Sequence, residues 1–370
     1  MIGLTPYMLD RLSKRELSQQ KRILLKRNWP YDFSSNDYIS FARSLVLRDR
    51  ILQRMKNIEC VGASGSRLLT GNTPLAEEVE TDIARFFGFA KALLFPCGFT
   101  LNCGFLASIA NKDDVIFMDE NAHASLKNGL KLSPAQGYFF RHNDLSQLES
   151  RLQKQMGKQN NIFIVVESLY SMDGDLAEIP ELLHLCERYN ARLIVDEAHA
   201  VGAMGDEGRG WLAHHHAQEK IFACVVTFGK AFGCQGAAVL GSPQLIEYVQ
   251  NFCHSFIYTT GLSSFSLLAM QESLRLFEED SSPLNKLHSN IQFFNSQLKT
   301  EHHTPIYSFP LEDVLQVRKA AQHLQKQGFG ILPIYSPTVR KGSERLRVSV
   351  HAHNTEWELE ACAKELRQYQ

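Results

Sequence analysis

The sequence predicts an α/β protein: a mainly parallel seven-stranded sheet with helices on both faces, followed by a smaller α+β unit. Three observations point there. Short apolar runs of strand length alternate with helix-length segments from Leu75 to Leu240. After about Ser242 the texture changes to three successive helical stretches and a short mixed segment. The chain has 370 residues, 44% of them hydrophobic and 21% charged, which suits a packed core and allows two domains.

Residues 1–40 read as an N-terminal arm. Its basic stretch Arg11–Arg27 also carries Glu16, and Met8, Leu9, Leu12, Leu17, Ile23 and Leu24 recur at helical spacing, so a solvated arm helix is expected. Gly62–Gly71 is rich in glycine and serine and leads into the helix-like Leu75–Phe87. The predicted buried strands are Ala92–Phe95, Val115–Met118, Tyr138–Phe140, Ile162–Val166, Leu193–Val195, Phe222–Phe228 and Ala237–Leu240. Between most of them lie the helix-like Leu101–Ala110, Ala124–Leu132, Leu145–Gln155 and Leu182–Tyr189. This alternation assigns 41–242 to one α/β domain, whose ligands belong at the carboxyl ends of the strands. Residues 243–370 read as a helical link (Pro243–Phe256, Leu262–Phe277, Asn285–Thr300) and an α+β domain. In that domain helix-like Leu311–Gln327 is flanked by strand-like Ile306–Phe309, Ile331–Tyr335 and Arg345–Val350.

A formal net charge of −1 gives no reason to expect nucleic acid or a membrane surface as partner. No apolar run is long enough to span a bilayer, and the N-terminus lacks a signal-peptide core. The eight cysteines are scattered with no C-x-x-C pair, so reduced buried thiols and a cytoplasmic location are expected. The triple run His214–His216 has no cysteine or carboxylate pattern beside it and reads as a polar surface loop; no metal site is expected.

Chemistry gathers at strand ends. In “VVTFGKAFG” a strand stops at Lys230 among small residues. A lysine there can simply snorkel to solvent. “RLIVDEAHAVG” puts Asp196 directly after an apolar strand, where a buried carboxylate needs a partner; a protonated ring nitrogen would serve, and capping of the next turn is the plainer reading. Ala198 and His199 follow, one leaving room for a flat ligand and the other able to hydrogen-bond to it. A D-E-x-H segment also occurs in nucleotide sites, but these need a P-loop, and no G-x-x-x-x-G-K-[ST] is present. “MDENAHASL” places His123 at a helix start, able to stack on a ligand ring or to rest as a satisfied loop histidine. “FPCGFTLN” ends a strand at Gly98, Phe99 and Thr100 and opens a helix, whose N-terminus attracts phosphate. Taken together, a lysine for a Schiff base, a carboxylate for a pyridine nitrogen, a stacking ring and an anion-binding helix start are what pyridoxal 5'-phosphate requires.

The chain resembles the α-oxoamine synthases, fold-type I pyridoxal-phosphate enzymes, along nearly its whole length. The resemblance rests on “FSSNDYIS”, “GASGSRLLTGNTPL”, “FPCGFTLN”, “DENAHASL”, “FRHND”, “ESLYSMDGD”, “IVDEAHAVG”, “TFGKAFG”, “FIYTT” and “RLRVSV” in this order. It implies that Lys230 bonds the cofactor, that Asp196 meets the ring nitrogen, and that His199 and Ser171 lie near the ring's 3-oxygen. His123 would stack on one face with Ala198 under the other. Gly98, Phe99 and Thr227 would sit by the phosphate. Thr259 and Thr260 would reach the phosphate of the other subunit, because such sites form at a homodimer interface. Asn36 and Arg347 would take the substrate carboxylate, for which arginine's planar fork is suited. Lys230, His123, Asp196 and His199 are therefore the expected catalytic set.

The family joins an amino acid to an acyl thioester with loss of CO2. “AHASL” and “FIYTT” are most similar to the member that uses L-alanine and a pimeloyl thioester, carried on coenzyme A or an acyl carrier protein. Sister enzymes take glycine or serine with acetyl, succinyl or long acyl groups. Arg340, Lys341 and the basic arm are candidates for touching a coenzyme A phosphate or an acidic carrier, or form a solvated face. The chain departs from the family pattern at Ala76, often histidine, at His351–Asn354, and in a short 302–314 segment.

Overall fold

The structure, a computed structural model, describes residues 3–18, 20–22, 24 and 29–370. The helix Pro6–Leu17 starts where Thr5 caps it and Pro6 occupies its first turn. None of its residues is buried. Its expected continuation through Ile23 and Arg27 runs into residues outside the described set.

The strands are β1 (Tyr31–Asp32), β2 (Lys91–Phe95), β3 (Val115–Asp119), β4 (Gln136–Phe140), β5 (Ile162–Glu167), β6 (Ala191–Asp196), β7 (Ala223–Thr227), β8 (Ala237–Gly241), β9 (Ile306–Pro310), β10 (Phe329–Gly330), β11 (Leu332–Ile334) and β12 (Arg345–Ser349). Seven of them form the large sheet in the order β2-β8-β7-β6-β5-β3-β4. Only β8 runs antiparallel, against both β2 and β7. The other six strands therefore end on one edge, and residues just beyond β2, β3, β5, β6 and β7 converge there.

Alternate residues of the central strands enter two separate apolar clusters, one on each face: Phe163, Val165, Ile194 and Val225 on one side, Ile164, Val166, Val195 and Val226 on the other. Burial on both faces is why these strands read as continuous apolar runs. Each such side chain contributes roughly 1.5–3 kcal/mol. β4 differs: Gln136 to Phe139 are exposed, with Tyr138 at 39% and Phe139 at 43%. Its aromatic sequence predicts a buried strand, but β4 pairs only with β3 and forms the sheet's edge.

The later residues form a second antiparallel sheet, β11-β12-β9, packed with the helices Val314–Lys326 and Glu356–Leu366. β1 pairs with β10 in parallel, tying the last part of the 1–40 segment to this unit. Pro243–Phe256 is not one helix: it stops at Phe252, and His254–Ile257 follows as a separate turn. All eight cysteines are free, but only Cys186, Cys224, Cys253 and Cys362 are buried; Cys60 is exposed. Among the described residues no helix is long and apolar enough to cross a membrane.

Candidate functional site

A cavity of about 620 Å3 opens at the carboxyl edge of the large sheet. It is lined by eleven residues expected there from sequence: Asn36, Gly98, Phe99, His123, Ser171, Asp196, Ala198, His199, Thr227, Lys230 and Arg347. Thr259 and Thr260 are not among them. They line a separate, much smaller cavity with Arg67 and Ala76.

Asp196, the last residue of β6, is buried with its carboxylate held from two sides. Asn102 Nδ2 donates to Oδ2 at 2.8 Å, and the Ala198 amide donates to Oδ1 at 3.0 Å. Lys230 follows β7 and is half-buried. Burial pushes its ammonium down to about 8, helped by Arg347 and opposed by the carboxylates of Asp196 and Glu167. A neutral amine is thus available near physiological pH.

His199 is buried and held well below the usual histidine range by burial, with Lys230 and Arg347 adding to the effect. Its Nδ1 lies 2.8 Å from the Tyr38 hydroxyl. That hydroxyl also accepts from Arg347 Nη2 at 3.2 Å. Arg347 Nη2 donates to Asn36 Oδ1 at 2.9 Å, and Nε donates to the Ser171 carbonyl at 2.5 Å. Arg347 stands in the middle of β12, so the second sheet delivers its guanidinium to the mouth of the first. The loop it meets, Tyr170–Asp175, is pinned from both units. Arg345 pairs with Asp173, Thr304 Oγ1 donates to the Gly174 carbonyl at 2.7 Å, and His142 Nε2 bonds Asp175 at 2.5 Å.

The helix Gly98–Ser108 points its start at the cavity, and no side chain caps it. Its first-turn amides are therefore open to an anion. Gly98 is needed for close approach: a Cβ there would stand 2.7 Å from Thr227 Cγ2. His123 caps the next helix, Ala124–Leu132, and its ring stands exposed in the cavity. Its imidazole is held below the ordinary value by burial of the site, with the Asp196 charge opposing and Lys230 and Lys127 assisting. This donor set suits pyridoxal phosphate: an uncapped helix start with a glycine cradle for the phosphate, a buried carboxylate for the ring nitrogen, and a partly covered amine of lowered basicity.

Four cavity-related residues were not singled out from sequence: Tyr38, Asn102, Ser125 and Glu167. Each sits inside a quoted motif, as in “NDYIS”, “FTLN”, “HASL” and “ESLY”. Glu167 carried a signal, a charged residue closing the apolar run of β5, whereas Asn102 and Ser125 look like ordinary polar helix positions; all three are buried at the cavity wall. His214 stacks on Trp211 at 4.6 Å, and among the described residues no cluster of ligating side chains could hold a metal ion. Arg340 pairs with Glu120. The departures His351 and Asn354 are buried against the last part of the arm: His351 Nε2 lies 3.0 Å from Ser35 Oγ, and Asn354 Nδ2 donates to the Asp32 carbonyl at 3.2 Å.

The chain is similar to known proteins over most of its length. The aminotransferase class I and II family matches residues 30–366. A protein of Glaesserella parasuis described as “Putative 8-amino-7-oxononanoate synthase” is 36% identical over 355 residues, 93% of each chain. One of Trichodesmium erythraeum with the same description is 34% identical over 331 residues, covering 86% of this chain and 84% of that one. The crystal structure of 8-amino-7-oxononanoate synthase from Francisella tularensis superposes with a TM-score of 0.78 at 27% identity, over 93% of this chain and 98% of that one. Serine palmitoyltransferase of Sphingomonas wittichii shares the fold, with a TM-score of 0.90 at 23% identity over 100% and 98% of the chains. The chain belongs to the aminotransferase class I and II family, and within it to the pyridoxal-phosphate-dependent α-oxoamine synthases.

Proposed function

We propose that the protein condenses L-alanine with a pimeloyl thioester, releasing CO2 and the thiol, to form 8-amino-7-oxononanoate in an early step of biotin biosynthesis. The observation that carries this reading is the convergence of the Arg347–Asn36 pair with Lys230 and Asp196 on one cavity. A carboxylate clamp beside a cofactor-bonding lysine selects an α-amino acid. The names of the relatives favour alanine and the pimeloyl group.

The cofactor, when bound, supplies an electron sink for the carbanion at Cα. Arg347 and Asn36 orient the amino acid through its carboxylate. Lys230 Nζ would hold the cofactor and, as a free amine, would take the Cα proton, a task its lowered basicity suits. Asp196 would hold a proton on the ring nitrogen, its carboxylate kept aimed by Asn102 and the Ala198 amide. His199 and Ser171 would hold the cofactor's 3-oxygen, Ala198 and His123 would pack against its ring, and Gly98, Phe99 and Thr227 would hold its phosphate. His123 would also polarise the thioester carbonyl. Thr259 and Thr260 would complete the phosphate site of a second copy in a homodimer.

Steady-state turnover with L-alanine, glycine and L-serine, each against acetyl-coenzyme A and against pimeloyl thioesters of coenzyme A and of acyl carrier protein, tests the reading. Preference for L-alanine with either pimeloyl donor is the expected result. Preference for glycine with a short acyl donor would assign a glycine C-acetyltransferase instead.

A further inference from the structure

A chain of hydrogen bonds runs from Asp196 to His123 through Asn102 and Ser125, the second of which has no part in the reading above. An ionised carboxylate can only accept, so Asp196 fixes which end of the Asn102 amide faces it. Nδ2 must point to Asp196, and it lies 2.8 Å from Oδ2. The second hydrogen of the same Nδ2 then goes to Ser125 Oγ at 3.0 Å. Ser125 Oγ, having accepted, is left with its own proton to give, and His123 Nδ1 lies 2.8 Å away. The Ser125 backbone amide donates to the same Nδ1 at 3.3 Å. Asn102 and Ser125 are buried, so water cannot replace them in this chain.

From this geometry we infer that Asn102 and Ser125 are positioning residues that lock His123 into its neutral form with the proton on Nε2, making it a one-way hydrogen-bond donor into the cavity. With Nδ1 saturated by two donors, only Nε2 can carry the ring proton. The ring stands exposed in the cavity, and among the described residues no protein group bonds its Nε2. The oxygen it meets belongs to an acceptor of the substrate, an acyl carbonyl or a carboxylate. His123 is then no base, and removal of the Cα proton falls to Lys230 alone. What Nε2 donates to rests on the proposed condensation; the tautomer itself does not.

The test is 15N–1H correlation spectroscopy of the histidine-15N-labelled protein, with and without cofactor, using His123→Gln to assign the signal. The expected spectrum shows Nε2 protonated and Nδ1 bare from pH 6 to 8. Ser125→Ala removes the stronger donor and Asp196→Asn frees the Asn102 amide to turn; each should give a mixed tautomer. In Ser125→Ala kcat of the condensation should fall about tenfold, while the KM of the amino acid moves less than about twofold, as loss of one hydrogen bond made at the transition state predicts. A wild-type protein with this tautomer but no condensation activity supports the assignment and discards only the reaction. A proton on Nδ1 in the wild type, or a Ser125→Ala spectrum and kcat identical to wild type, overturns the inference.

Discussion

Glu167 and Asp196 are register partners at the ends of the adjacent parallel strands β5 and β6, two buried carboxyl groups side by side under one cavity. Asp196 is held by two donors, whereas Glu167 Oε1 is buried without a partner. Burial first, and then the Asp196 charge, push the Glu167 carboxyl up to about 8. Glu167 therefore keeps its proton at neutral pH.

Because its folded value lies above the ordinary 4.5, the folded chain holds this proton where the unfolded chain has lost it. Stability from this group is full below about 4.5 and falls as pH rises toward 8. Glu167→Gln, which mimics the neutral acid, should abolish that fall. Relative to wild type it should gain about 1 kcal/mol or more between pH 5 and pH 8 in paired denaturant titrations. A parallel decline in both proteins would assign the proton elsewhere.

Lys230 is expected to carry the cofactor covalently. Borohydride reduction of the holoenzyme followed by peptide mapping should place the reduced pyridoxyl group on the peptide containing “FGKAFG”. Lys230→Ala should lose this adduct and at least about a thousandfold of kcat. A label recovered on any other lysine removes the basis of the proposed reaction.

Arg347 bonds Asn36 and Tyr38 with one nitrogen and the Ser171 carbonyl with another. Arg347→Lys keeps the charge but not the planar fork. It should raise the KM for the amino acid roughly tenfold to a hundredfold, with a smaller change in the KM for the thioester. Equal changes in both constants in initial-rate kinetics would place the guanidinium elsewhere in the reaction.

His142 lies between Asp119 at 3.0 Å and Asp175 at 2.5 Å. Although burial opposes it, the two carboxylates lift its imidazole from the ordinary 6.5 to about 10. Its contribution to stability is full below about 6.5 and is lost as pH rises through about 10. His142→Gln should lower Tm at pH 7, equivalent to about 1–3 kcal/mol, and the gap to wild type should close above pH 10. A gap that is the same at both pH values would mean that the side chain acts through packing alone. The same substitution should loosen the Tyr170–Asp175 loop, which limited proteolysis can follow.

Much of this was legible in the sequence because the large sheet is buried on both faces. β3, β5, β7 and β8 appear as unbroken apolar runs whose bounds differ from the observed ones by one residue or less at each end. β4 misled for the opposite reason: Tyr138, Phe139 and Phe140 have the composition of a core strand, but which strand lies at the edge depends on topology. Lys230, Asp196 and His123 stood out because each interrupts an apolar pattern at a strand end. Asn102 and Ser125 did not, since inside a helix both look like ordinary polar positions, and only the packing of Gly98–Ser108 on Ala124–Leu132 brings them together. Tyr38 was hidden for the same reason, its partners lying 161 and 309 residues away.

The span from Asn36 to Arg347 has a consequence for synthesis. Asn36 emerges early in synthesis and Arg347 only with β12, near the end, so the hydrogen bond that joins them cannot form until nearly the whole chain has been made. A chain that stops short of β12 keeps Lys230 and Asp196 but never completes this part of the cavity wall.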